Sequence, residues 1–90
     1  MELLTDTSFQ NLNKTEQVGA VIRLGKELIV RVTEDFSIHL YIMPNIFIEV
    51  WYETRTNVIV KLNTTNRQEI IKNYDEMNDI VHYLFKDANL

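Results

Sequence analysis

Between Asn13 and Gly25 the apolar positions fall at helical intervals. Val18, Val21 and Ile22 recur with Gly25 at steps of three and four, and Glu16, Gln17, Arg23 and Lys26 are the polar positions. Asn13 with Glu16 three places later has the spacing of a capping box. Gly25 is expected to stop the helix in a left-handed conformation. A short β-branched strand over Val18–Leu24 competes with this reading, and the helix is preferred. Upstream, Leu3, Leu4, Phe9 and Leu12 are expected to pin an extended lead-in against the body, with fraying at its start.

From Leu28 the period changes to two. Leu28, Val30 and Val32 alternate with Ile29, Arg31 and Thr33. Glu34-Asp35 connects to a second run, in which Phe36, Ile38, Leu40 and Ile42 oppose Ser37, His39, Tyr41 and Met43. After Pro44-Asn45, Ile46, Ile48, Val50 and Tyr52 oppose Phe47, Glu49, Trp51 and Glu53. After Arg55-Thr56-Asn57, Val58, Val60 and Leu62 oppose Ile59, Lys61 and Asn63. These runs predict a four-stranded antiparallel meander with one buried, even-numbered face. Neither of the two glycines lies in these turns. Asn45 and Asn57, of the residue type that best tolerates positive φ after glycine, are expected to make them.

The last apolar stripe, Ile70, Tyr74, Met77, Val81 and Leu84, steps by four and three and is widened by Ile71 and Phe85. Asn66 and Glu69 repeat the capping-box spacing, and Lys72, Asp75, Glu76, Asp79 and Lys86 take the far side. The predicted class is α+β: a four-stranded antiparallel meander sheet, with an N-terminal helix and a C-terminal amphipathic helix packed on it. The C-terminal stripe is expected to close the even-numbered face.

Strand parity tests the central hairpin. A two-residue Pro44-Asn45 turn pairs Leu40 with Glu49 and places a carboxylate in the core. A slip of one residue inverts a whole strand. The expectation is therefore a three-residue connection, or a bulge that corrects the register. Arg31, His39, Tyr41, Phe47, Glu49, Trp51 and Lys61 would then share the second face and form a candidate interface, because aromatics and arginine are enriched where proteins meet. Coverage of that patch by the first helix or the N-terminal segment is the plainer alternative, as is a cross-strand Trp51–Lys61 cation–π pair.

Length and composition narrow the function classes. Residues 1–90 are read as a single domain with a small core. The net charge of −4 argues against a nucleic-acid partner, where basic residues must neutralise phosphates. No cysteine is present, which favours a reducing, cytoplasmic setting. The start resembles no signal peptide, and no apolar run is long enough to span a bilayer, so no membrane partner is expected.

Candidate chemistry is thin. His39 beside Glu49 suggests an acid–base pair or a small-molecule site, without a nucleophile at informative spacing. Two distant histidines, His39 and His82 at the edge of the C-terminal stripe, and no cysteine leave no zinc set, and no phosphate-cradling glycine loop occurs, so no catalytic residue, metal or cofactor is assigned. Asp75, Glu76 and Asp79 form an acidic strip read as a solvated helix face, with weak cation binding or attraction to a basic partner as the sharper alternative. The reading is a non-enzymatic interaction domain that binds a protein partner or self-associates as a homodimer through the Trp51 face. An acidic immunity-type inhibitor of a toxin is the alternative.

Leu40-Tyr41 followed by Phe47-Ile48-Glu49-Val50-Trp51-Tyr52 resembles the hairpin of a group of small uncharacterised bacterial α+β proteins. The resemblance covers about Thr15–Leu62 and rests on the F-I-E-V-W-Y segment. It departs at the hairpin tip, where Pro44-Asn45 replaces a more usual Asp/Asn-Gly pair. It implies the architecture and no specific activity. Some of the group are similar to small immunity or accessory proteins.

Overall fold

The computed structural model describes residues 4–74. Its first element is a short helix, α1 (Asp6–Gln10), where an extended lead-in was expected. Thr5 Oγ1 accepts from the Ser8 amide at 3.1 Å, and Ser8 Oγ accepts from the Thr5 amide at 2.8 Å. This is a capping box with serine in the place of the usual Glu or Gln. It turns the chain so that Phe9 is fully buried.

Helix α2 (Lys14–Leu24) forms as its cap spacing predicts. Asn13 Oδ1 accepts from the Glu16 amide at 2.8 Å, and Glu16 Oε1 accepts from the Asn13 amide at 3.0 Å. Gly25 ends it in extended backbone, φ −87° and ψ 149°, and not in the expected left-handed conformation. The glycine is required for space: a β-carbon there would stand 2.6 Å from the Val21 carbonyl oxygen. The helix thus runs into the sheet with a single intervening residue.

Strands β1 (Lys26–Val32), β2 (Phe36–Met43), β3 (Ile46–Glu53) and β4 (Ile59–Thr65) form the antiparallel meander, in the order β1-β2-β3-β4. Asn45 (φ 77°) and Asn57 (φ 59°) carry the left-handed turn positions, as anticipated. Pro44, whose ring fixes a negative φ, followed by Asn45 gives the φ pattern of a type II turn.

That turn has two residues, and the register follows from it. Met43 pairs with Ile46, and Leu40 with Glu49. The expected three-residue connection or corrective bulge is absent from this hairpin. Bulges occur instead on the two edge strands, leaving Leu28 and Val60 out of the pairing. Even-numbered residues of β2 therefore share a face with odd-numbered residues of β3, and the single even-numbered core row does not exist.

Both faces are covered. Phe9, Ala20 and Val21 of α1 and α2 pack on Met43, Ile46, Ile48 and Val50. Helix α3 (Arg67–Asn73), capped by Asn66 Oδ1 accepting from the Glu69 amide at 2.9 Å, packs Ile70 on the opposite face with Tyr74, against Ile29 and Leu40. The architecture is helix–sheet–helix, an α+β fold of three layers. The expected stripe residues Met77, Val81 and Leu84, the acidic strip Asp75, Glu76 and Asp79, and His82 lie outside the described residues. Among the described residues no helix is long and apolar enough to cross a membrane.

Candidate functional site

The two-residue turn divides the sequence-predicted interface. Arg31, Phe47, Glu49, Trp51 and Lys61 share the α3 face, whereas His39 and Tyr41 pair with Val50 and Ile48 and face α1 and α2. His39 and Glu49 thus stand on opposite sides of the sheet and cannot act on one substrate.

On the α3 face Glu49 is 3% exposed. Its Oε2 accepts from the Tyr74 hydroxyl at 2.9 Å and from Arg31 Nη2 at 3.4 Å, and its Oε1 accepts from Asn63 Nδ2 at 3.0 Å. Asn63 Oδ1 in turn accepts from the Trp51 indole N–H at 2.7 Å. One carboxylate so ties β3 to β1, to β4 and to the residue that ends α3. The Arg31 guanidinium lies 5.5 Å from the Trp51 ring and 5.1 Å from the Tyr74 ring, and the Lys61 ammonium lies 4.7 Å from Trp51. Phe36 meets Trp51 edge-on at 5.5 Å. Burial, reinforced by the adjacent Glu49 charge and hydrogen bond, pushes the Tyr74 hydroxyl pKa well above its ordinary value, and Arg31 opposes this only in part. Tyr74 is held as a neutral donor. A buried carboxylate with this set of donors is a structural clamp, and it has no open side on which to act as a base.

On the α2 face His39 Nδ1 lies 2.5 Å from Glu27 Oε1, Ser37 Oγ lies 3.1 Å from His39 Nε2, and the His39 and Tyr52 rings meet at 4.7 Å. Burial raises the Tyr41 pKa, with the nearby Tyr52 and Glu27 adding to it. Beside this cluster, α2 and the sheet part to leave an apolar cleft of about 120 Å³, whose lining includes Val18, Ile22, Tyr52, Ile59 and Leu62. Lys14 Nζ donates to the Ile59 carbonyl and fastens the start of α2 to β4. Ile22 is 77% exposed at the lip of the cleft.

Sequence reasoning assigned Ile22 to the buried stripe of α2 and did not single out Asn63 or the cleft. The signal for Ile22 was present: it sits roughly 100° around the helix from Val21, next to Arg23. Among the described residues no group of three His, Asp or Glu side chains could hold a metal ion. No family model, curated protein or solved structure matches the chain.

Proposed function

We propose that the chain is a small non-enzymatic protein–protein interaction domain whose contact surface lies on the α2 side of the sheet. Ile22 carries the reading, because it is largely exposed at the edge of an open apolar cleft. An aliphatic side chain so placed has the character of the core of a contact surface. Size supports a protein partner over a metabolite. Small-molecule sites usually enclose roughly 300–1,000 Å³, whereas about 120 Å³ accommodates a single aliphatic side chain. On the Trp51 face, first expected to be the interface, the Trp51 indole, Asn63, Glu49 and Tyr74 hydrogen-bond to one another, and Arg31 Nε alone among its described buried side-chain atoms has no partner. A reducing compartment such as the cytoplasm suits a chain without cysteine.

A photo-activatable phenylalanine in place of Ile22 is expected to give a discrete protein adduct in native cells. The same group in place of Thr56, in the β3–β4 turn, is not. Ile59→Glu, which brings a carboxylate to the cleft, should abolish the adduct while circular dichroism shows the fold retained. An absent adduct, or one insensitive to that change, would refute the reading.

A further inference from the structure

Helix α2 has an outer face that no contact among the described residues explains. At about 100° per residue, Thr15, Glu16, Gly19, Ile22 and Arg23 fall within one arc of about 120°, opposite Gln17, Val21 and Leu24. Gly19 sits at its centre, and a β-carbon there would meet nothing within 4 Å. Glycine inside a helix is unfavourable relative to alanine, and no contact among the described residues requires it. Arg23 makes no ion pair among the described residues. Among the described residues Glu16 engages Oε1 alone, in its cap.

We propose that α2 pairs antiparallel with α2 of a second copy of this chain, about a two-fold axis beside Gly19. This rests on the interaction-domain reading above and names the partner. The charges fit a two-fold operator. Glu16 and Arg23 are equidistant from a point between Gly19 and Ala20, each about 5 Å away along the helix at 1.5 Å per residue. An antiparallel partner therefore sets Glu16 of each copy against Arg23 of the other, twice. The same face supplies a knob and a hole, as a self-complementary interface must. Ile22 projects, and Thr15, Val18, Gly19 and Ile22 bound a depression of i, i+3, i+4, i+7 geometry that receives the partner's isoleucine. Without a side chain at Gly19, the two helix axes can approach closely. Ile22 also borders the apolar cleft, so its burial continues that surface.

An eleven-residue helix offers less than a standard interface area. The dimer is accordingly expected to dissociate in the micromolar range and to weaken with salt. Sedimentation equilibrium on the purified full chain tests this. Glu16→Arg and Arg23→Glu each set like charges together twice, and each should weaken self-association by roughly ten-fold. An equimolar mixture of the two variants restores both attractive pairs and should recover the dimer. Gly19→Leu enters open space in the protomer and improves helix propensity, so it should be folded and monomeric.

A wild-type chain that stays monomeric at high concentration would overturn the proposal, and so would a dimeric Gly19→Leu or a mixture that gains nothing over its components. An adduct at position 22 with a different protein, combined with a monomeric chain, would remove the homodimer and leave the interaction-domain reading standing.

Discussion

Removing Arg31 should cost far more than its long contact suggests. Arg31 Nη2 stands 3.4 Å from Glu49 Oε2, with the Arg31 side chain 22% and the Glu49 side chain 4% exposed. At an effective dielectric of about 20, that separation corresponds to an attraction of about 5 kcal/mol. Much of it is offset by the desolvation of the carboxylate. Arg31→Leu removes the attraction and leaves the desolvation, so a loss of about 3 kcal/mol is expected. Glu49→Leu leaves the Tyr74 hydroxyl and the Asn63 amide without their acceptor and should cost about 2–3 kcal/mol. The double variant Arg31→Leu/Glu49→Leu removes the buried charge together with its counter-ion. It should lose about 3 kcal/mol, not the sum of the two single losses. Urea unfolding followed by Trp51 fluorescence measures all three. For a domain of this size each single variant should lower the midpoint by roughly 2 M. Additivity to within about 0.5 kcal/mol would refute the coupling and reduce the Arg31–Glu49 contact to an incidental one.

The other expectations are local. Tyr74 binds its proton more tightly in the folded state than in the unfolded, so its contribution is complete below the ordinary tyrosine pKa of about 10 and declines as pH rises above it. Tyr74→Phe should flatten that alkaline fall while lowering stability at neutral pH, as read by denaturation across pH 7–11. Gly25→Ala should destabilise by about 1–3 kcal/mol in a thermal melt, because the added carbon meets the Val21 carbonyl. A neutral result would mean that the α2–β1 junction relaxes. Asn45→Val forces a β-branched residue to φ 77° and should cost about 1–2 kcal/mol, whereas Asn45→Gly, which gives up only the long 3.4 Å hydrogen bond to the Leu4 carbonyl, should cost far less.

Where a local signal used its usual residues, the sequence carried it. Asn13 with Glu16, the Asn66 cap, and the positive φ of Asn45 and Asn57 each depend on a few adjacent residues, and each was readable. The meander order was readable too, because short turns leave consecutive strands little choice. What escaped was either a local position that departed from its usual residue or reason, or one that depended on distant partners. The α1 cap uses Ser8 where a longer acceptor is usual, so Thr5 went unnoticed. Gly25 was assigned the commonest reason for glycine, positive φ, when the actual reason is the Val21 carbonyl one turn earlier. The site was divided by a single parity. A buried Glu49 was rejected as too costly because its three donors come from β1, β4 and the end of α3, and no pattern within β3 announces them.

That parity also explains what the Glu49 cluster contributes beyond stability. Hydrophobic patterning fixes strand register only where one face is apolar and the other polar. Here both faces of β2 and β3 are largely apolar, because helices cover both. A three-residue connection would pair Leu40 with Val50 and Ile42 with Ile48, which is as consistent hydrophobically as the observed pairing. It would also place Glu49 on the face opposite Arg31, because Arg31 follows the register of β2. The buried carboxylate therefore discriminates between two registers that the apolar residues alone leave nearly degenerate. The two-residue turn acts in the same direction. The Arg31→Leu/Glu49→Leu variant removes this discrimination while retaining much of the apolar burial. Its amide resonances along β2 and β3 should be doubled or exchange-broadened, with cross-strand Hα contacts from Leu40 to both position 49 and Val50. A single sharp set reporting only the native Leu40–49 pairing would show that Pro44-Asn45 alone sets the register.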